Sequence, residues 1–263
     1  MNIVYKGVIA LLMLFTSFGM LVGNNLPFEK EIPFQVFQNL TIKGSLQVFF
    51  TQSEETSIIV RAKSQKDLDE VDFEFSNQTL TLDNTVKRRG IFGCNVSTTT
   101  SARQEVHISS SILNVIGISG SGTFKAMNDV TFVNLMLSIS GSGKANINGT
   151  ASNTNISISG SGRVDMERFN LNNLTITISG SGRAVIAGTV NNLNISISGS
   201  GRADTINMIA KIADVNISGS GIANIFVEEV LTARVSGSGR VTYSGNPPHV
   251  TKRISGSGRV TPN

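Results

Sequence analysis

The chain of 263 residues contains no tryptophan, two tyrosines and a single cysteine. Because a disulfide needs two cysteines, no disulfide framework holds the chain together. With so few large aromatic side chains, the core has to be built from Ile, Leu, Val, Ala and Phe. These residues, together with 26 glycines, are typical of short β-strands separated by tight turns. Two interpretations of Cys94 stay open: it is an unpaired small side chain, or it is one half of an intermolecular disulfide.

Charged residues are also scarce, at 15 %, whereas hydrophobic residues make up 40 % of the chain. This balance excludes a disordered chain and provides enough apolar material for one sizeable core. Functional signatures are missing as well: no phosphate-binding loop accompanies the Gly-x-Gly sequences, and no aromatic residues form a stacking surface for single-stranded nucleic acid. We therefore expect no cofactor and no specific nucleic-acid partner.

Only the N-terminus contains a long apolar run. Lys6 precedes residues 8–22, which are almost all apolar, and this pattern predicts a secretory signal peptide over residues 1–23. An uncleaved anchor is the alternative, although the run is slightly shorter than the roughly 20 apolar residues that span a bilayer. We expect a secreted or cell-surface protein, with the periplasm or outer envelope as an alternative location, whose contact with the membrane is limited to this segment.

The sequence Ser-Gly-Ser-Gly occurs eight times in the second half of the chain, at intervals of 18 to 21 residues. The copies begin at Ser119, Ser140, Ser159, Ser179, Ser198, Ser218, Ser236 and Ser255. Apolar and polar residues alternate before each copy, as in Leu174–Ile178, and again after it, as in Arg163–Met166, so each unit contains two half-buried strands. Because one unit buries little surface alone, the units must stack on one another. The sequence predicts an all-β fold, a parallel β-solenoid whose coils of about 19 residues turn at Ser-Gly-Ser-Gly.

Stacking makes specific predictions for the motif and its neighbours. The glycines provide positive φ angles and the space left by a missing Cβ, and the serines are expected to hydrogen-bond along the resulting column. The residue before each motif should form an interior stack, about 4.8 Å per coil. This stack comprises Ile118, Ile139, Ile158, Ile178, Ile197, Ile217, Val235 and Ile254.

We predict one solenoid over residues 33–263, following the signal peptide at 1–23. Residues 106–263 form the regular coils, and residues 33–105 form irregular early coils with an inserted loop near 86–104. The segment around Gly44 has the same strand, Gly-Ser and strand layout as the repeats. Its distance from Gly120, 76 residues, predicts about four further periods between the two glycines.

The repeats and two upstream segments, FQVFQNLTIKGSLQVFFTQ and LDEVDFEFSNQTLTL, together resemble the putative auto-transporter adhesin, head GIN domain family of bacterial secreted proteins. The resemblance covers most of residues 33–263. It implies a right-handed β-helix-like fold, related in shape to pectin lyases without their catalytic residues, and a role in cell adhesion. It brings no catalytic or binding residues with it.

The chemistry-bearing residues of the repeats are dispersed. Asp165 and Asp204 occupy equivalent positions two coils apart, about 10 Å along the axis, which is too far for a shared metal. His107 and His249 are isolated, without a nucleophile motif nearby. The sequence therefore predicts no catalytic residue and no metal site.

Six of the eight motifs are followed by a cation, and stacking should align these cations along one edge. They are Lys144, Arg163, Arg183, Arg202, Arg240 and Arg259. Like charges about 5 Å apart repel one another unless anions meet them, so this edge is the candidate binding site for an acidic glycan or an envelope surface. The alternative is that these side chains only shield the turn and discourage aggregation.

Taken together, these features favour a non-catalytic adhesion or binding module that recognises a surface glycan or envelope component. Two alternatives stay open: a β-helix carbohydrate-active enzyme resembling a polysaccharide lyase, and an ice-associated or envelope-associated structural protein. A cluster of three acids, or of an acid with Arg and His, in one groove would favour the enzyme. The sequence does not indicate an oligomeric state.

Overall fold

The computed structural model describes residues 26–89, 95–99 and 103–263. Cys94, the predicted signal peptide and residues 90–94 and 100–102 of the predicted inserted loop lie outside the described residues. The described chain is almost entirely β-strand. Its elements are β1 (Phe28–Glu31), β2 (Asn39–Gly44), β3 (Gln47–Gln52), β4 (Ser57–Ala62), α1 (Gln65–Asp69), β5 (Asp72–Ser76), β6 (Thr79–Asp83), β7 (Thr85–Arg89), β8 (Asn95–Thr99), β9 (Gln104–Ser110), β10 (Val115–Gly120), β11 (Thr123–Ala126), β12 (Val130–Gly141), β13 (Lys144–Gly160), β14 (Arg163–Gly180), β15 (Arg183–Gly199), β16 (Arg202–Gly219), β17 (Ile222–Gly237), β18 (Arg240–Ser244), β19 (His249–Ser255) and β20 (Arg259–Pro262).

The strands from β10 onward stack in parallel, each motif directly beside the next. Ser159 pairs with Ser179, and Ser179 pairs with Ser198, with the same register continuing to Ser236 and Ser255. Backbone hydrogen bonds continue through the turns, for example from the Ser181 N–H to the Gly160 carbonyl at 2.9 Å. The predicted parallel β-solenoid is therefore confirmed, with about seven turns.

Each regular coil has three sides. In β14, alternate side chains point inward along 163–166, 169–171 and 174–178, and pairs of exposed residues at 167–168 and 172–173 separate these stretches. We call the side at 174–178 the motif face, the side at 163–166 the basic face and the side at 169–171 the third face, and apply the same names to equivalent residues in other coils. The turn between the motif face and the basic face is the motif corner.

The predicted interior stack lies on the inner side of the motif face. Its members from Ile118 to Val235 are buried, each with at most 3 % of its surface exposed. Ile254 is the exception at 47 %, because β19 belongs to the last coil and no described strand lies beyond it. Burial in this stack therefore depends on a coil being present on both sides.

The two glycines of each motif do different work. Gly180 has φ +114°, a region that L side chains rarely adopt, and a Cβ there would lie 2.8 Å from the Gly160 carbonyl oxygen. Gly182 has no such φ, but its Cβ would lie 2.5 Å from Cγ2 of Ile158 in the preceding coil. The first glycine makes the turn, and the second leaves room for the branched side chain of the interior stack.

The early segment does not form four coils between Gly44 and Gly120, so that expectation is wrong. β2 pairs directly with β10, and Gly44 is opposite Gly120. The intervening chain leaves the stack and builds its N-terminal end: β6 pairs on the outer side of β2, and β9 pairs on the outer side of β3. Spacing along the sequence fails here because the chain returns to the stack after a long excursion.

The N-terminal end of the solenoid is closed by antiparallel pairs. β5 pairs with β6 at the motif face, while β4 pairs with β9 and β1 pairs with β4 at the basic face. Helix α1 is capped by Ser64, whose hydroxyl accepts a hydrogen bond from the Asp67 N–H at 3.1 Å. A cluster of Phe34, Phe37 and Phe75 packs against the core beneath these strands.

At the C-terminal end of the described stack, a lysine occupies an inward position. Lys252 pairs with the buried Ala233 of the preceding coil, so its side chain lies across the end of the core. Its Nζ donates to the Val260 carbonyl at 3.2 Å and sits 5.0 Å from the centre of the Tyr243 ring. The aliphatic stem of Lys252 thus covers apolar surface while its charged end stays in contact with polar atoms and solvent.

Candidate functional site

The structure places the six predicted cations in one column on the basic face, beside the motif corner. Lys144 pairs with Arg163, Arg163 with Arg183 and Arg183 with Arg202, after which Ile222 separates Arg202 from Arg240. Arg259 follows Arg240 in β20. Six steps of about 4.8 Å give the column a length of roughly 30 Å.

Two of these cations are neutralised by acids on the same face. Arg163 holds Asp165 with two hydrogen bonds of 2.7 Å, and this contact raises the pKa of the Arg163 guanidinium. Arg183 forms an ion pair with Asp204, whose other oxygen accepts a hydrogen bond from Asn224 at 2.6 Å. Asp165 and Asp204 lie two coils apart, with Val185 between them, as predicted.

The other four cations of the column have no acidic partner within 4.0 Å among the residues that the structure describes. They are Lys144, Arg202, Arg240 and Arg259. Three of the four, Arg202, Arg240 and Arg259, lie in the C-terminal half of the stack. The last part of this half, residues 230–263, contains no Asp or Glu. The basic column is therefore least neutralised toward its C-terminal end.

Two columns of serine hydroxyls cover the motif corner next to these cations. Both serines of every motif are exposed, as at Ser179 and Ser181. The hydrogen bonds expected along the serine column do not form between these hydroxyls in the described chain. The Ser181 and Arg183 N–H groups bond to the preceding coil, so these two backbone groups are occupied, whereas the hydroxyls are available to a ligand.

A shallow groove of about 420 Å³ lies on the motif face at the C-terminal end, adjoining the corner. Hydroxyl and amide side chains line it, including Ser196 and Asn216, together with Arg234 and Arg253. Arg234 is bound to Asp214 by hydrogen bonds of 2.9 and 3.0 Å, whereas Arg253 has no such partner among the described residues. The sequence analysis missed both arginines, although they stand where the alternating pattern usually has Ser or Thr.

A ladder of asparagines, also missed, lies at the corner between the third face and the motif face. Asn153 donates to Asn134 at 2.9 Å, Asn173 to Asn153 at 2.8 Å and Asn192 to Asn173 at 3.0 Å. Asparagine at one position in four successive coils is the sequence signal for it. The ladder borders a second groove of about 640 Å³, in which Met136 is exposed. Because the amides bond to each other, the ladder stabilises the stack.

One cluster brings together an acid, a histidine and arginines, near the N-terminal end of the basic face. Nε2 of His107 lies 3.5 Å from Oε2 of Glu105, and Nε of Arg103 lies 3.0 Å from Oε1 of the same carboxylate. The His107 ring stacks on the Phe49 ring, with 4.9 Å between the ring centres. Burial and the charge of Arg61 lower the pKa of His107, against the opposing effect of Glu105. Both grooves described above are lined by other residues.

Within the described residues, no group of three or more His, Cys, Asp or Glu side chains is arranged to hold a metal ion. The same residues contain no helix long and apolar enough to span a membrane.

The fold and this surface define a class of protein: a parallel β-solenoid that offers an open polar surface for binding. Within this class, the chain belongs to the family described as putative auto-transporter adhesin, head GIN domain, whose model matches residues 36–247. The resemblance seen in the sequence is thereby confirmed. The family supports a non-catalytic binding role and a cell-surface or secreted protein. Comparison with curated proteins gives no significant match.

Solved bacterial structures share this fold. A protein of Parabacteroides distasonis described as a putative lipid binding protein is 24% identical, with a TM-score of 0.82 over 92% of this chain and 98% of that chain. A putative adhesin of Parabacteroides merdae is 21% identical, with a TM-score of 0.80 over 90% of this chain and 95% of that chain. At such identities, the likeness shows the fold alone.

Proposed function

We propose that this protein is an adhesin module that binds an acidic polysaccharide lengthwise along the motif corner. The observation that carries the proposal is the column of unpaired cations, Lys144, Arg202, Arg240 and Arg259, beside two columns of free serine hydroxyls. A polymer with regularly spaced carboxylate, sulfate or phosphate groups would neutralise these cations and would relieve the repulsion between the neighbouring Arg240 and Arg259. The hydroxyls would hydrogen-bond to its sugars.

The groove at the C-terminal end extends this surface. Arg253 is exposed on the motif-face side of the corner, and Arg240 and Arg259 are exposed on the basic-face side. A chain lying over the corner would therefore meet cations on both of its edges. This arrangement favours the C-terminal half of the solenoid, because Asp165 and Asp204 neutralise the arginines in the middle.

The test is a binding titration of Arg202→Ala/Arg240→Ala against an immobilised acidic polysaccharide, with neutral dextran as the ligand control. Exposed ion pairs contribute about 0.2–1 kcal/mol each, so the loss of two should weaken binding roughly two- to thirtyfold. Lys63→Ala/Lys211→Ala removes the same charge from exposed positions off the column and should bind as the wild type does. Equal loss in both variants, or equal binding of dextran, would refute the proposal.

Because an acid, a histidine and arginines do lie together, catalysis is the second candidate. Glu105 is buried and engaged by Arg103, which leaves His107 as the more accessible group. Incubation with acidic polysaccharides, followed by chain-length analysis, tests this directly. We expect no cleavage. Cleavage by the wild type that disappears in His107→Gln would show that the protein is an enzyme rather than a non-catalytic adhesin.

A further inference from the structure

Both ends of the described solenoid present strand edges on the same two sides. At the motif face these edges are β5 at the N-terminal end and β19 at the C-terminal end, and at the basic face they are β1 and β20. Each of the four strands pairs with a single neighbour within the part of the chain that the structure describes. Such edges expose unpaired backbone N–H and C=O groups that can accept another strand.

The strand edges at the two ends carry opposite net charge. The N-terminal edges contain four acids and one lysine: Glu29, Glu31, Asp72, Glu74 and Lys30. The C-terminal edges contain three cations and no acid: Lys252, Arg253 and Arg259. Two like ends therefore repel each other, whereas an N-terminal end and a C-terminal end attract.

The register puts opposite charges at the two ends of the same columns. Glu74 pairs with Thr81, and the outward-facing column continues from Thr81 through every coil to Arg253. On the basic face, Glu29 stands at one end of the column that ends in Arg259. Glu29 already forms an ion pair with Arg61 at 2.8 Å, so a partner's Arg259 would share this carboxylate. If one solenoid is placed on the next with its columns in line, Arg253 meets Glu74 and Arg259 meets Glu29.

Apolar side chains are exposed at both ends as well. Phe28 and Phe73 of the N-terminal edges have 38 % and 37 % of their surface exposed. Val250 and Ile254 of β19 have 37 % and 47 % exposed, because no coil covers them. Joining the two ends would bury these four side chains and add backbone hydrogen bonds at two edges.

From these features we propose that copies of this chain associate head to tail, with the C-terminal end of one solenoid on the N-terminal end of the next. β19 would pair with β5 antiparallel, and β20 with β1 parallel, given the strand directions within each solenoid. Because the two surfaces differ, the contact does not close on itself and produces linear filaments. The filament would continue the basic column and the serine corner from one copy to the next.

Charge reversal at each end tests the proposal. The full chain, expressed with its own N-terminal segment, is examined by sedimentation velocity and light scattering over a range of concentrations. At about 0.1 M salt, the wild type should form species whose masses are multiples of 28.0 kDa. These species should dissociate at about 1 M salt, where the Debye screening length falls to about 3 Å. The tail variant Thr251→Glu/Arg253→Glu and the head variant Asp72→Lys/Glu74→Lys should each remain monomeric.

A mixture of the two variants distinguishes a lost contact from lost folding. At the motif face, β19 and β5 of the tail variant both carry net negative charge, and β19 and β5 of the head variant both carry net positive charge. An equimolar mixture should therefore assemble into alternating filaments. Three results would overturn the proposal. The wild type stays monomeric, either variant alone assembles as the wild type does, or the mixture of the two variants remains monomeric. Polysaccharide binding by Arg202→Ala/Arg240→Ala is measured separately, so failure of one proposal does not entail failure of the other.

Discussion

Replacing Gly182 with alanine tests how the repeat specifies the solenoid. The new Cβ would lie 2.5 Å from Cγ2 of Ile158 and 3.1 Å from the Gly162 carbonyl oxygen. Carbon atoms in contact normally stand about 3.5–4.0 Å apart, so the two coils must separate by about 1 Å at this point. Overpacking of this kind costs about 1–3 kcal/mol in the free energy of unfolding.

The most severe obstacle at Gly182 is a side chain, because the Gly162 carbonyl oxygen at 3.1 Å needs a shift of only a few tenths of an ångström. A second substitution should therefore remove most of the strain. Ile158→Leu moves the branch away from Cβ and costs less than about 1.5 kcal/mol alone. The double variant Ile158→Leu/Gly182→Ala should therefore be more stable than the sum of the single effects predicts. The chain contains a natural version of this exchange, because Leu46 occupies the second-glycine position where the neighbouring strand has Leu82 instead of isoleucine.

Gly180→Ala is the matched control, since its obstacle is the Gly160 carbonyl oxygen and its φ is positive. No side-chain change can relieve it, so Ile158→Leu should give no recovery there. The assay is urea unfolding followed by circular dichroism, with the midpoint and slope compared among the variants. The reasoning fails if Ile158→Leu does not couple to Gly182→Ala, or if it rescues both glycine substitutions equally.

Two further predictions follow from the hydrogen bonds and charges. Asn173→Asp removes the amide donor that bonds to Asn153, so thermal melting should show that the free energy of unfolding falls by about 1 kcal/mol. Asn172→Asp is the control, because it keeps the oxygen that accepts from Asn191 and should leave the stability nearly unchanged. The pKa of His107 is lowered in the folded state, so below pH about 6.5 the unfolded chain binds the proton more readily. Stability should fall as the pH drops through this range, and less steeply in His107→Gln; an unchanged slope would contradict this account.

Much of the fold could be predicted because the motif repeats in phase. The spacing of the eight motifs is sufficient to place Ile178 beside Ile158 and Arg183 beside Arg163, since stacked coils turn sequence neighbours about 19 apart into spatial neighbours. The candidate cations were predicted for the same reason. Their partners were not, because an ion pair such as Arg183 with Asp204 depends on rotamers and on the width of a face.

The early segment shows where the periodicity of the sequence no longer predicts the fold. Gly44 and Gly120 are 76 residues apart in sequence yet directly paired, because the intervening chain leaves the stack to build the antiparallel N-terminal end. Nothing in the local pattern distinguishes four stacked coils from one long excursion. Only the pairing of strands distant in sequence decides between them.

The sequence by itself determined the coil: alternating residues choose the buried side, the first glycine makes the turn, and the second admits the isoleucine of the coil before. These are short-range steric and hydrophobic requirements, and the motif satisfies them in every unit. The tertiary structure alone decided which cations stay unpaired, that the asparagines bond into a ladder, and that acids and cations lie at opposite ends of the stack. Those properties depend on which distant side chains come within a few ångströms of one another, and a one-dimensional pattern does not contain that information.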